Sequence, residues 1–113
     1  MKIYHNPRCS KSRQTLELIR AQGIQPEIVL YLEAPPTKSE LQDVLKKLGR
    51  NVNDILRKGE ADYKAHFTAV SPSDEAALLE LLVAYPKVIE RPIVVAGSVA
   101  VIGRPPEAVS VLF

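Results

Sequence analysis

Apolar positions near the N-terminus come as a short cluster, a helical stripe and a second cluster. Lys2-Ile3-Tyr4 reads as a short strand. Ser10 to Gln22 has helical character, with Leu16 and Ile19 on the face towards a sheet, Leu18 extending it, and Gly23 as the stop. Pro26 to Leu32 is a near-continuous apolar run built on Glu27-Ile28-Val29-Leu30-Tyr31, which predicts a buried strand. Strand, helix and strand in that order predict two parallel strands joined by a right-handed crossover.

Pro35-Pro36 ends this unit and a helical middle follows. Thr37-Lys38-Ser39-Glu40 is a capping box, and Leu41, Val44, Leu45 and Leu48 form one buried stripe that closes at Gly49. Asn53 or Asp54 starts a short helix carrying Ile55 and Leu56, ended by Arg57-Lys58-Gly59, and Glu60 to His66 forms another helical turn. Ser71-Pro72-Ser73-Asp74 predicts a further helix with serine as its cap and proline in its first turn. Leu78, Leu81, Leu82 and Tyr85 give that helix an apolar face, and Pro86 closes it. The period then changes. Ile93-Val94-Val95 and Val99-Ala100-Val101-Ile102 flank Ala96-Gly97-Ser98, the pattern of a β-hairpin. Gly103-Arg104-Pro105-Pro106 breaks the second strand, and Glu107 to Phe113 reads as a last short helix with Val109, Leu112 and Phe113 inward.

Composition narrows the class. A chain of 113 residues, 46% hydrophobic and 25% charged, is expected to form one soluble domain. No apolar run approaches the ~18–20 residues of a membrane span, and Met1-Lys2 leads straight into a strand without a signal-peptide layout. The net charge of +2 is too small to argue for nucleic acid. With a single cysteine, Cys9, an internal disulfide and a Cys-rich zinc site are both excluded, and His5 and His66 add few metal ligands. The expectation is a cytoplasmic protein that binds no metal and takes any partner thiol from another molecule.

That cysteine sits in His5-Asn6-Pro7-Arg8-Cys9-Ser10-Lys11-Ser12-Arg13, between the first strand and the first helix. Asn6-Pro7 marks a turn, so Cys9 falls at or beside a helix N-terminus, where unpaired amides and the helix dipole favour an anion. Arg8, Lys11 and Arg13 add positive charge, and cysteines so placed have pKa values of roughly 3.5–7.5. His5 either tunes the thiol or is a satisfied loop histidine. The hairpin supplies a second argument. Arg91 precedes its first strand and Arg104 follows its second, so both belong at one edge of the sheet. If the first hairpin strand runs antiparallel to strand 1, that edge is also where Cys9 emerges. Guanidinium groups suit a tetrahedral oxyanion because the fork donates two parallel hydrogen bonds. Arg57 stays open at this level, since a basic residue at a helix end also satisfies the dipole.

Five blocks carry a resemblance: His5-Asn6-Pro7-x-Cys9-x-x-Ser12-Arg13, Leu30-Tyr31-Leu32-Glu33-x-Pro35-Pro36, Leu56-Arg57-Lys58, Glu90-Arg91-Pro92-Ile93-Val94-Val95 and Gly103-Arg104-Pro105-x-Glu107. In order and nearly end to end, they resemble the glutaredoxin-linked arsenate reductases. The resemblance implies a thioredoxin-like α/β fold in one domain, 1–113, with β-α-β and β-β-α around a four-stranded mixed sheet and a helical insertion over about 37–85. It implies Cys9 as nucleophile, tuned by His5, Arg8, Ser12 and Arg13. The implied oxyanion site comprises Ser10, Lys11, Arg57, Arg91 and Arg104, with Arg57 added by the likeness alone, and Pro92 is expected to be cis. No bound cofactor is implied. Arsenate or a similar oxyanion, glutathione as co-substrate and glutaredoxin are the expected partners of a monomer that uses neither nucleic acid nor membrane. Well-characterised members have glycine and threonine after the nucleophile, where this chain has Ser10-Lys11, and they carry a longer C-terminal tail. Cys9-x-x-Ser12 also suits a monothiol glutaredoxin-like thiol transferase. A third reading is a regulator of RNA polymerase, although such regulators commonly carry Cys-x-x-Cys. In a phosphatase-like loop an arginine stands six positions after the cysteine, and here Thr15 is there.

Overall fold

The computed structural model describes all 113 residues, in two compact units, Met1–Ala34 with Arg91–Phe113 and Pro35–Glu90. The first unit is built on a four-stranded mixed sheet of order β2-β1-β3-β4, with β1 at Lys2–Tyr4, β2 at Glu27–Val29, β3 at Ile93–Ala96 and β4 at Val99–Ile102. β1 runs parallel to β2 and antiparallel to β3, and β3 and β4 form the expected hairpin around Gly97, whose φ of 60° suits a glycine turn. Ile3 and Val94 face each other across the register and pack with Leu16 and Ile19 of helix α1 (Ser10–Ala21) and Val109 of the C-terminal segment. These five residues form an apolar cluster that packs the C-terminal half of α1 against the sheet.

The inward stripe of α1 is Ser12, Thr15, Leu16 and Ile19, the i, i+3, i+4 and i+7 positions of one helix face. Its C-terminal half is apolar. Its N-terminal half, Ser12 and Thr15, is polar and has no solvent exposure (0% for both), so these hydroxyls must be satisfied inside the protein. A polar stretch of an otherwise apolar buried stripe is a departure from core logic, and it falls beside Cys9.

Two sequence expectations are corrected in this unit. The buried strand over Pro26–Leu32 is only Glu27–Val29 at the edge of the sheet, with Ile28 38% exposed. The run turns away after Val29, where the amides of Glu33 and Ala34 both bond to the carbonyl of Leu30 (2.9 Å each). An apolar run alone does not distinguish an edge strand from one covered on both faces. The C-terminal segment Pro106–Leu112 is a 3-10 helix, and Phe113, expected inward, is 45% exposed.

In the second unit, α2 (Lys38–Leu48) has the predicted capping box, with the Glu40 amide donating to Thr37 Oγ1 and the Thr37 amide to Glu40 Oε1, both at 3.1 Å. It ends at Gly49 in the left-handed region, φ 66°. The short helix after it is a 3-10 turn, Val52–Ile55, capped by Asn51 rather than by Asn53 or Asp54. α3 spans Ala61–His66 and α4 spans Glu75–Ala84. The cap of α4 is Asp74, whose Oδ1 accepts from the Ala77 amide at 3.1 Å; Ser71 instead bonds to Ser73. The buried face of α4 is Leu78, Leu79 and Leu82, with Leu81 only half-buried.

This difference in capping is measurable. Asp74→Ala should cost about 1 kcal/mol in urea unfolding, and Ser71→Ala no more than a few tenths. Equal losses from the two substitutions would return the cap to Ser71.

Candidate active site

The cysteine loop is fixed from both ends. The His5 amide extends the β1–β2 ladder by donating to the Val29 carbonyl (2.8 Å), and the Cys9 amide closes a turn onto the Asn6 carbonyl (3.0 Å). Asn6 Oδ1 accepts from the Arg8 amide at 3.0 Å, and the Arg13 guanidinium donates to the Pro7 carbonyl at 2.9 Å. Cys9 is thereby held at the N-cap of α1 in extended geometry (φ −93°, ψ 121°), its own carbonyl accepting the first helical bond from Arg13. A cysteine cap provides no oxygen for the first-turn amides, which remain turned towards its sulfur.

Burial pushes the Cys9 thiol up, but the Ser12 amide, the Arg91 charge, the Lys11 amide and the Arg104 charge together outweigh it, and the pKa lies below the ordinary thiol value. The strand register explains why the two arginines are there. Tyr4 pairs with Ile93 and Ile93 with Ile102, so the chain leaves β1, enters β3 and leaves β4 at one end of the sheet. The Gly103 amide donates to the Pro92 carbonyl (2.9 Å), and Arg104 Nη1 to the Arg91 carbonyl (3.4 Å). Arg91-Pro92 and Arg104-Pro105 are both cis; only the first was expected. Arg91 is half-buried and Arg104 exposed.

His5 is buried, its Nδ1 2.6 Å from Ser12 Oγ, which also accepts from the Asn6 amide at 3.1 Å. Burial first, then the charges of Arg20 and Arg13, push the His5 pKa below the ordinary imidazole value, which favours the neutral ring. Ser10, Lys11 and Arg8 are exposed around the loop. The first unit thus assembles Cys9, His5, Ser12, Arg13, Lys11, Arg91 and Arg104.

Arg57 belongs to the second unit. Its amide donates to the Val88 carbonyl (2.7 Å) beside the Leu56–Ile89 bridge, and its guanidinium is ion-paired with Glu60. Two contributors went unnoticed in the sequence. Thr15 Oγ1 donates to the Lys11 carbonyl (2.8 Å) and lies 3.3 Å from the Gly103 carbonyl. Gly103 makes that approach possible, since a Cβ there would meet Thr15 Oγ1 at 2.6 Å and Pro92 Cγ at 2.8 Å. The usable signal was the helical spacing of Ser12 and Thr15 with Leu16 and Ile19. No group of three or more His, Cys, Asp or Glu residues is arranged to hold a metal ion, and no helix is long and apolar enough to cross a membrane.

A four-stranded mixed sheet of order β2-β1-β3-β4, its first helix capped by a cysteine whose pKa is lowered, is the architecture of a thioredoxin-like protein. The chain matches the ArsC family over residues 4–112 and belongs to it. Its relatives include YfgD of Escherichia coli K12, described as an uncharacterized protein, 53% identical over 110 residues (96% of this chain, 92% of that one). A Haemophilus influenzae protein named arsenate reductase is 45% identical over 108 residues, covering 95% of this chain and 93% of its own. Among solved structures, an arsenate reductase from Vibrio cholerae is 44% identical and superposes with a TM-score of 0.93, covering 99% of this chain and 96% of that one.

The depressed thiol has a direct readout. Alkylation of Cys9 by iodoacetamide should reach half its maximal rate below the ~8.5 of a free cysteine, and Arg91→Ala should move that midpoint upward. A midpoint at or above the free value in the unmodified protein would mean that burial outweighs the donors.

Proposed function

We propose that this chain is an arsenate reductase that works with glutathione and glutaredoxin. The observation that carries the reading is the single cysteine, held as a thiolate-prone group by two helix amides and by Arg91 and Arg104, in a chain with no second thiol. The names of its relatives support arsenate as the oxyanion.

In the first step the Cys9 thiolate attacks arsenic(V). An S–As bond forms, an As–O bond breaks, and the oxygen leaves as water after taking up two protons. Arg91 and Arg104 hold arsenate oxygens through paired N–H donors and disperse their charge, with the Lys11 and Ser12 amides as fixed dipoles. Arg57 joins them on the strength of family likeness. A guanidinium has five donors, so its pairing with Glu60 leaves others for an oxygen. His5, Ser12 and Arg13 fix the loop, and Ser10 and Lys11 border the anion.

In the second step a glutathione thiolate attacks the Cys9 sulfur. An S–S bond forms, the S–As bond breaks, and its electron pair stays on arsenic, which leaves as arsenite in the +3 state. Glutaredoxin then attacks the glutathionyl sulfur and returns Cys9 as thiolate. The setting is a monomer in the cytoplasm, where the glutathione pool keeps such thiols reduced.

An NADPH-coupled assay with glutathione, glutathione reductase and glutaredoxin should show oxidation that depends on arsenate and not on phosphate. Cys9→Ser should abolish it, and Arg104→Ala should lower kcat/KM by roughly a hundredfold. Turnover of a glutathionylated disulfide with none of arsenate would make the protein a monothiol thiol transferase instead.

A further inference from the structure

The Asn6–Cys9 turn has a second side. A cavity of about 280 Å³ is walled by its Asn6, Pro7 and Arg8 and by Leu30, Leu32 and Glu33 from the turn after β2. That volume lies just below the usual range of small-molecule sites, roughly 300–1,000 Å³, and suits a small flexible molecule rather than a protein segment. Its walls are set in advance, by the Val29, Leu30 and Pro7 carbonyls accepting from His5, Glu33 and Arg13 (2.8, 2.9 and 2.9 Å). Leu32 remains 37% exposed there. Arg8 and Glu33 carry opposite charges on the same cavity, and neither takes part in the ion pairs Lys2–Glu27, Arg20–Glu17, Lys38–Glu80, Lys47–Asp43 and Arg57–Glu60. Apolar walls with one cation and one anion complement a small zwitterion.

We propose that this cavity is the subsite for glutathione, with Arg8 taking a carboxylate of the tripeptide, Glu33 its ammonium, and Pro7, Leu30 and Leu32 its methylene groups. The inference rests on the function proposed above, which requires an external thiol. The turn connects the cavity to the reaction. The Cys9 amide bonds to the Asn6 carbonyl at 3.0 Å, so the ends of the turn lie within about 7 Å of each other. Glutathione carries its sulfur in the middle of the tripeptide, so its γ-glutamyl arm sits over the turn while the sulfur meets Cys9. There the S–S bond forms as the S–As bond breaks and arsenic takes the electron pair. A small thiol without these arms has the same chemistry and no use for the cavity.

The test is single-turnover arsenite release from the Cys9–arsenic adduct, driven by glutathione or by 2-mercaptoethanol. Glu33→Lys should lower the second-order rate constant for glutathione by roughly fivefold and leave that for 2-mercaptoethanol unchanged. Added salt should shrink the glutathione advantage of the unmodified protein, because both charges are exposed. S-methylglutathione, which has no thiol, should shift the amide resonances of Leu30, Leu32 and Glu33 in a saturable manner that Glu33→Lys weakens. Equal effects on both thiols, or S-methylglutathione shifts that Glu33→Lys leaves unchanged, would overturn the subsite. Failure of arsenite release with every thiol would overturn the arsenate reading, and the S-methylglutathione titration then decides the cavity on its own.

Discussion

A thiolate taken out of water persists only where fixed donors and positive charge replace its hydration, and the first unit of this fold is arranged around that requirement. Burial alone raises the Cys9 pKa; the Ser12 and Lys11 amides, Arg91 and Arg104 reverse the sign. The amides are available because the helix cap is a cysteine without an oxygen. The arginines are available because β1, β3 and β4 share one register, which brings the residues before β3 and after β4 to the end of the sheet where the loop begins. Thr15 and Gly103 link the two sources, joining the first turn of α1 to the glycine that precedes Arg104. Donors of the kind that favour the thiolate, fixed amides and guanidinium groups, are also the kind that suit an oxyanion.

Features encoded by short-range geometry were legible in the sequence. The Thr37–Glu40 capping box and the Gly49 stop are local hydrogen-bond and backbone problems, and both are present. The hairpin placed Arg91 and Arg104 together because antiparallel pairing returns the chain to its starting end. What depends on tertiary neighbours was not legible. Glu27–Val29 looks like a core strand by composition and is an edge strand. Asp74 and Ser71 both resemble caps, and only the turn between them decides which one bonds to Ala77. Ser12 and Thr15 share the helical spacing of Leu16 and Ile19, but what their buried hydroxyls bond to depends on packing. Arg57 has no local signature that separates an anion ligand from an ordinary helix-end cation, so its assignment rests on family likeness.

The absence of a second cysteine shapes the chemistry as much as the presence of the first. Reduction of arsenic(V) to arsenic(III) takes two electrons, and one thiol supplies half of the disulfide that must form. In the mechanism proposed above, the rest comes from an external thiol that reaches Cys9 after the oxyanion is bound. The anion side of the loop holds amides and arginines, and the Asn6–Arg8 side holds a cavity of mixed charge and apolar walls. Ser10 and Lys11 lie exposed in the first turn of α1, directly after Cys9.

We propose that Cys9 and one external thiol together supply the two electrons. This is tested most directly by mass spectrometry of the intact protein after a single turnover with arsenate and glutathione, in the absence of glutaredoxin. One arsenite should be released per chain and one glutathionyl group should accumulate on Cys9. Arsenite release with Cys9 left as a free thiol, or a glutathionyl group formed equally well without arsenate, would contradict it.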